Sequence, residues 1–433
     1  MYYIPLMNKT PSWFQYPNYN WKTKHATIIG GGIAGAQMAW HLCQADWQVT
    51  LIERHTQLAT EASGNPIGVI SPKMTALPSN GEDFYTQSFH YTLALLKTLE
   101  ASGKRIEWDA CGALQLAHNP HELKRWQALK DRGLSPDFIQ LLDEAETKKI
   151  AGIHLNADQP YKSSYFPQGS WINPISFSEA LSQHPNCKII LATEVLQLEK
   201  ADGYWRLLSH SGESIAESEV VIITNGRDLF NFEQSTFLPH MPVVGQTTFA
   251  PASAFSSKLK TVIGHEGYLT PAIHSQHVFG ATFDRNENNP MIKAESDTEN
   301  FKQLQQYLPE FTNSLANIKS AHAAVRITTP DRFPYVGGLP DKDFYQREYQ
   351  DLHQGRKWKS YPSAEYQKGL FMLGGLGSRG LTTSGYCAKI LTLLLENKLE
   401  NTLDSNEEMK HSKTLLQNCH PARFLIKALK RRQ

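Results

Sequence analysis

The stretch Thr27–Gly35, TIIGGGIAG, decides how this chain is read. Gly30, Gly32 and Gly35 satisfy G-x-G-x-x-G, with Gly31, Ile33 and Ala34 between them. The context is the one this spacing requires. A short β-branched strand, Ala26–Ile29, precedes it. A segment with Ile33, Met38, Leu42 and Ala45 at helical spacing follows, and a second strand, Val49–Ile52, ends on Glu53. In such a unit the first glycine makes the tight turn, and the second lets the backbone approach a pyrophosphate. The third lets the helix lie close on the strand, and the helix N-terminus offers N–H groups to the anion. Glu53 lies roughly 20 residues on, where an acceptor for a ribose 2′-hydroxyl is expected, and a carboxylate there argues against a 2′-phosphate. The competing reading is an ordinary βαβ turn with Glu53 merely solvated.

Composition narrows the rest. A chain of 433 residues suits two domains. Its 43 Lys+Arg balance 42 Asp+Glu, so any nucleic acid or membrane must be met by a local patch. Cys43, Cys111, Cys187, Cys387 and Cys419 are scattered without a CxxC pair, which disfavours a disulfide framework or a zinc site. No HExxH or HxH pair and no Ser/His/Asp arrangement stands out, so no metal is expected. No apolar run nears the ~20 residues that span a bilayer, and the leader lacks the order of a signal peptide. A soluble cytoplasmic protein with no membrane partner is expected.

A second strand–glycine–helix unit, GLFMLGGLGSRGLTTSGYCAKILTLLL (Gly369–Leu395), lies far downstream, and EVVIITNG (Glu219–Gly226) reads as a buried strand ending on a small turn. The late helix can bring its N-terminus, around Leu381–Ser384, against a ring carbonyl that carries negative charge when reduced. Two nucleotide-facing elements over 300 residues apart suit the long FAD better than NAD; plain βα packing is the alternative. The expected fold is α/β, α+β overall. A Rossmann-like FAD-binding domain is assembled from 25–85, 155–235 and 322–405, after a leader at 1–24. A mixed-sheet substrate domain comprises 86–154 and 236–321, and a basic C-terminal helix spans 411–433.

These pieces resemble the D-amino-acid-oxidase-like flavoproteins, which include glycine and sarcosine oxidases. An ordered series is more specific: PSWF (Pro11–Phe14), ASGNPIGVISPK (Ala62–Lys73), YFPQGSWINP (Tyr165–Pro174), PVVGQ (Pro242–Gln246), GYLTP (Gly267–Pro271), AVRITTPDRFPYVGG (Ala324–Gly338), LGSRGL and HPARFLIKALKRR. It is similar to the FAD-dependent oxidoreductase half of the bifunctional tRNA 5-methylaminomethyl-2-thiouridine biosynthesis proteins, the MnmC family, over nearly all of 11–432. That family usually carries a preceding methyltransferase domain. Here a linker-like PSWF stands almost at the start, so a separate S-adenosylmethionine-dependent methyltransferase is the expected partner for the next step.

The resemblance implies a tRNA substrate and oxidative removal of a carboxymethyl group from a wobble 5-carboxymethylaminomethyl-(2-thio)uridine. The products are the 5-aminomethyl nucleoside and glyoxylate, by oxidation at a CH–NH group and hydrolysis of the imine. It places FAD against Gly30, Gly31, Gly32, Ile33, Ala34, Gly35, Glu53, Arg54, Ala62, Ser63, Gly64, Val195, Asn225, Gly226, Gly377, Gly380, Leu381, Thr382 and Thr383. The neighbourhood Ala323–Gly338 has no cysteine, so noncovalent FAD is expected. A carboxylate substrate calls for arginine, whose planar fork is always charged. Arg326 and Arg379 are carried over as the groups facing it, with Tyr268 closing the pocket. The bland readings are an ion pair of Arg326 with Asp331, a solvent-facing Arg379 and a core Tyr268. For tRNA, Lys73 and the helix bearing Arg423, Lys427, Lys430, Arg431 and Arg432 are candidates. The HQGRKWK segment (His353–Lys359) adds a basic-aromatic cluster, and an amphipathic helix docked on its own protein is the competing reading of the C-terminal run. Rival functions are a glycine- or sarcosine-type oxidase of a free amino acid and a noncatalytic flavin-bearing tRNA-binding protein.

Overall fold

The computed structural model describes residues 10–315, 320–356, 358–399, 402 and 412–431. The opening motif forms as the spacing demands. Strand His25–Ile29 runs into a glycine turn, helix Ile33–Cys43 follows, and strand Gln48–Ile52 returns parallel, with Ile29 beside Ile52. These strands occupy the middle of a six-stranded sheet. From one edge the order is Tyr335–Pro340, Tyr366–Gly374, Val220–Ile223, His25–Ile29, Gln48–Ile52 and Cys187–Ile190. All neighbours are parallel except the first pair. Strand VVII is buried at every position, as a central parallel strand covered on both faces must be.

One face is covered by the first helix and by the late helix Gly380–Leu395, whose Tyr386, Leu391 and Leu395 join Met38, Leu42 and Trp47 in one core. The other face packs Val221, Ile223 and Met372 against Trp205 and Leu207 of a small antiparallel sheet. The long helix Asn80–Ala101 is capped by Ser79, whose hydroxyl accepts from the Glu82 amide. It contributes Phe84 to the first core and Phe89 and Leu96 to a core shared with Ile33 and Trp40.

A nine-stranded mixed sheet forms the second layer. Its spine is the antiparallel pair Met241–Pro251 and Ser320–Thr328, in register from Met241 opposite Thr328 to Phe249 opposite Ser320. Strands Gln276–Gly280, Tyr268–Leu269, Val262–Gly264, Ala113–Leu116 and Ser163–Phe166 extend it. Of the expected boundaries, 85/86 falls within the continuous helix Asn80–Ala101, and 321/322 within the continuous strand Ser320–Thr328.

Candidate active site

At the glycine turn Gly30 has φ 103°, in the left-handed region, and a Cβ there would lie 2.6 Å from the Asn225 Cα. A Cβ on Gly35 would sit 1.9 Å from the Gly30 carbonyl oxygen, so only glycine lets this helix come so close. Gly32 caps the helix, and Ile33 N–H donates to Ser63 Oγ at 3.0 Å. The Gly31 amide donates to Glu53 Oε2 at 2.7 Å, and the His55 amide to Oε1 at 2.9 Å. A carboxylate has about four acceptor sites, so Glu53 keeps capacity for a hydroxyl. Gly64 turns back on Thr60, where a Cβ would meet the Thr60 carbonyl oxygen at 2.6 Å.

These residues open into one cavity of about 780 Å³, within the range of sites built for cofactors and ligands. Gly30, Gly32, Ile33, Ala34, Glu53, Arg54, Ala62 and Ser63 line its first end, with Val195, Asn225 and Gly226 opposite. Gly31, Gly35 and Gly64 lie behind the wall as packing and turn residues. Arg54 joins three segments through Glu61, Glu194 at 3.1 Å and Asp228 at 2.7 Å. The Oδ1 of Asn225 is shielded from solvent and has no hydrogen-bond partner among the described residues. A glycine cradle, a ready carboxylate acceptor and an unsatisfied amide oxygen on one elongated cavity fit a dinucleotide.

The other end is built on the paired strands of the large sheet. Strand alternation puts His322, Ala324 and Arg326 along the cavity with Gly245 and Thr247 of the partner strand. A Cβ on Gly245 would lie 2.0 Å from Arg326 Nη2, so the glycine of PVVGQ makes room for the guanidinium. Arg326 makes no hydrogen bond or ion pair with any described residue. Its expected rival partner, Asp331, is taken by Arg423 at 2.9 Å. Burial lowers the Arg326 pKa and Tyr268 acts the other way, while burial raises Tyr268 and keeps it a neutral phenol. Asn65 Nδ2 donates to the Tyr268 hydroxyl at 3.0 Å, and Thr247 Oγ1 donates to Asn65 Oδ1 at 3.2 Å. Burial and the Arg326 charge hold His322 below the usual imidazole range, hence neutral.

Arg379 has a different neighbourhood. Its guanidinium donates to the Ser71 carbonyl at 3.1 Å and lies 5.5 Å from the Tyr85 ring centre, beside Lys73. It lines the cavity with Gly377, Gly380 and Leu381. Thr382 and Thr383 are buried beneath, Thr382 accepting through its carbonyl from Thr92 and Thr383 bonding the Arg379 carbonyl. The helix Arg423–Arg431 lies elsewhere. Ile426, Leu425 and Leu429 pack on Trp13, Phe14 and Tyr361, and Lys430 lies over the Trp13 ring at 4.8 Å. Lys427 stands 6.0 Å from the Phe424 ring, Arg431 ends the helix, and Arg432 lies outside the described residues. Among the described residues no cluster of His, Cys, Asp or Glu could hold a metal, and no helix is long and apolar enough to cross a membrane.

Residues 25–394 match the FAD-dependent oxidoreductase family, DAO. The chain belongs to this family. The family is one of FAD-dependent oxidoreductases, so FAD is the cofactor that membership implies. The MnmC bifunctional protein of Chromobacterium violaceum is 33% identical over 427 residues, covering 97% of this chain and 62% of that protein. That of Pseudomonas savastanoi is 31% identical over 96% of this chain and 61% of its own length. The chain thus spans about three fifths of these relatives. The glycine oxidase of Geobacillus kaustophilus superposes with a TM-score of 0.70 at 19% identity, covering 86% of this chain and 94% of its own. The fold is that of the family's amine- and amino-acid-oxidising enzymes.

Sequence reasoning missed Gly245, Asn65 and His322. PVVGQ and ASGNPIG were visible as motifs, but nothing in a linear pattern says that one glycine clears space for Arg326 or that one amide holds Tyr268.

Proposed function

We propose that this flavoprotein oxidises the carboxymethylamino arm of a 5-carboxymethylaminomethyl-(2-thio)uridine at the wobble position of tRNA, releasing glyoxylate and leaving the 5-aminomethyl nucleoside. The reading is supported above all by Arg326. It is a cation at the cavity wall with no counter-ion among the described residues, with space cleared for it by Gly245 and a neutral phenol beside it. An uncompensated guanidinium in a low-dielectric pocket favours a carboxylate, which it can take through two parallel hydrogen bonds. The similarity, over nearly the whole chain, to proteins named for tRNA 5-methylaminomethyl-2-thiouridine biosynthesis supports a modified uridine of tRNA as the bearer of that carboxylate.

FAD, when bound, supplies the two-electron oxidant. The chain's own residues do the positioning. Arg326 holds the carboxylate, which fixes the neighbouring methylene. Tyr268, its hydroxyl pinned by Asn65, walls the pocket without adding a charge where the amine must lose its proton. Loss of a hydride and a proton turns the CH–NH bond into C=N, and water then adds and splits the imine into primary amine and aldehyde acid. None of the five cysteines lines the cavity, in keeping with noncovalent FAD. Acid precipitation should leave the yellow colour in the supernatant.

The deciding experiment mixes the yellow holoenzyme anaerobically with tRNA bearing the modified uridine, and separately with glycine or sarcosine, following flavin bleaching and trapping glyoxylate. Bleaching by the tRNA with glyoxylate formed is the expected result. Bleaching by the small amines alone would replace this reading with that of a free amino-acid oxidase.

A further inference from the structure

A second positive centre, not used by the carboxylate site, has Lys73, Arg379 and Arg125 on the wall of the same cavity. Tyr85 and Arg332 stand beside them, outside that lining. Lys73 Nζ lies 5.4 Å from the centre of the Tyr85 ring, and the Arg379 guanidinium 5.5 Å. The Tyr85 hydroxyl donates to the Arg332 carbonyl at 3.2 Å, pinning a residue whose φ of 67° is left-handed without being glycine. Such a conformation is costly and persists where the surroundings hold it. Arg125 completes the group, its charge offset by Glu122 at 2.8 Å.

Three carboxylates nearby are engaged by other arginines. Glu82 binds Arg132 at 2.5 Å, Asp331 binds Arg423, and Glu122 binds Arg125. Lys73, Arg332 and Arg379 make no ion pair with any described residue. Their mutual repulsion is real: burial together with the charges of Arg379, Arg332 and Arg125 pushes the Lys73 pKa down to about 8. Cations gathered against repulsion are stabilised when an anion arrives. The carboxylate of the substrate is not that anion, because Arg326 sits among Tyr268, His322 and Gly245, in a different part of the wall. Free glycine or sarcosine has no second anionic group to offer. A nucleotide within an RNA strand has one on each side.

We propose that Lys73 and Arg332, backed by Arg379, form a phosphate-binding collar that grips the RNA backbone beside the nucleotide entering the cavity. The inference rests on the reading of tRNA as substrate and says where on the protein its backbone is held. The C-terminal helix is the competing basic surface, but it packs on Trp13, Phe14 and Tyr361 and none of its described residues lines the cavity.

The test uses holoenzyme and an unmodified anticodon stem-loop RNA. Affinity is measured across a salt series for the wild type, Lys73→Met, Arg332→Met, the double variant and Lys427→Met/Lys430→Met, with melting curves to confirm folding. Each collar substitution should lower the slope of log affinity against log salt by about one, and Lys73→Arg should restore it. In parallel, flavin reduction is followed with the modified stem-loop and with the free modified nucleoside, which has no phosphate. The double variant should raise KM for the RNA at least tenfold more than KM for the nucleoside. An unchanged slope in the double variant, equal losses on RNA and nucleoside, or a slope carried by the C-terminal helix would each overturn the collar. If the wild type oxidises neither modified substrate while the slope still falls in the collar variants, the collar stands and the proposed reaction fails.

Discussion

The C-terminal docking region and the far end of the cavity each centre on an arginine, and the two arginines are treated in opposite ways. Arg423 donates to both carboxylate oxygens of Asp331, at 2.9 and 3.0 Å, and to the Phe333 carbonyl at 2.7 Å. Its guanidinium also lies 4.3 Å from the Tyr335 ring centre. Every part of its fork is satisfied by the protein. Arg326, on the strand that leads into that same segment, has its flank cleared by Gly245 and no hydrogen-bond or ion-pair partner among the described residues. A satisfied cation holds segments together; an unsatisfied one waits for a ligand. The charge is the same at the two positions, so it is the partners that set the two arginines apart.

The widest separation is expected from Arg326→Met. It should lower kcat/KM for the carboxylate substrate by roughly two to three orders of magnitude, since a buried charge-assisted pair is lost from the bound state. Its melting temperature should stay level or rise, because the folded protein no longer buries a bare cation. A fall in stability that matched the fall in activity would break the comparison.

Arg423→Met should do the reverse. It strands Asp331 and three carbonyl contacts, and with Asp331 a third exposed the expected loss is about 2 kcal/mol of stability. Turnover per folded, FAD-loaded molecule should be little changed, as measured by comparing activity with flavin content.

Acid should find the docking region next. His420 accepts at Nδ1 from the Ala422 amide and meets the Tyr366 hydroxyl at 2.9 Å; burial and the Arg423 charge push its pKa down to about 3. A folded pKa below the ordinary value of about 6.5 means the unfolded chain binds the extra proton first. The stability is therefore complete above pH about 6.5 and is lost as pH falls toward 3. Melting temperatures taken from neutral to about pH 5 should decline, and His420→Gln should flatten that decline. The smallest effect is expected at Tyr268→Phe. It removes the hydrogen bond from Asn65 and a long one to the Ile67 carbonyl at 3.5 Å, and should reduce kcat/KM by about tenfold or less, a loss of roughly 1 kcal/mol.

Much of the cofactor end was legible because its physics is local. Gly30, Gly32 and Gly35 answer to steric demands within one turn, and Glu53 follows at a spacing set by one helix and two strands. The second strand–turn–helix unit, with its helix at Gly380–Leu395, was legible for the same reason. The substrate end was not, since it depends on which strands pair. Arg326 was found by resemblance, but that Asp331 belongs to Arg423, 92 residues away, is a fact of tertiary placement. Glu53 likewise spends part of its carboxylate on the Gly31 and His55 amides, which no spacing rule announces. The basic run ARFLIKALKRR reads the same whether its apolar face docks inward or not. Trp13, Phe14 and Tyr361 decide the matter by covering that face.

The order of the six-stranded sheet has a consequence for how the protein is made. Strand His25–Ile29 needs Val220–Ile223 on one side, and that strand in turn needs Tyr366–Gly374. At synthesis rates of about 5–20 residues per second, the early strands wait roughly twenty seconds to a minute for the last of these to emerge. Through that interval Ile28, Ile29 and Leu51, wholly covered in the finished fold, lack their far neighbours. A nascent chain in this state presents unpaired strand edges, so its yield in the cell should depend on what shields those edges until the late helix closes over them.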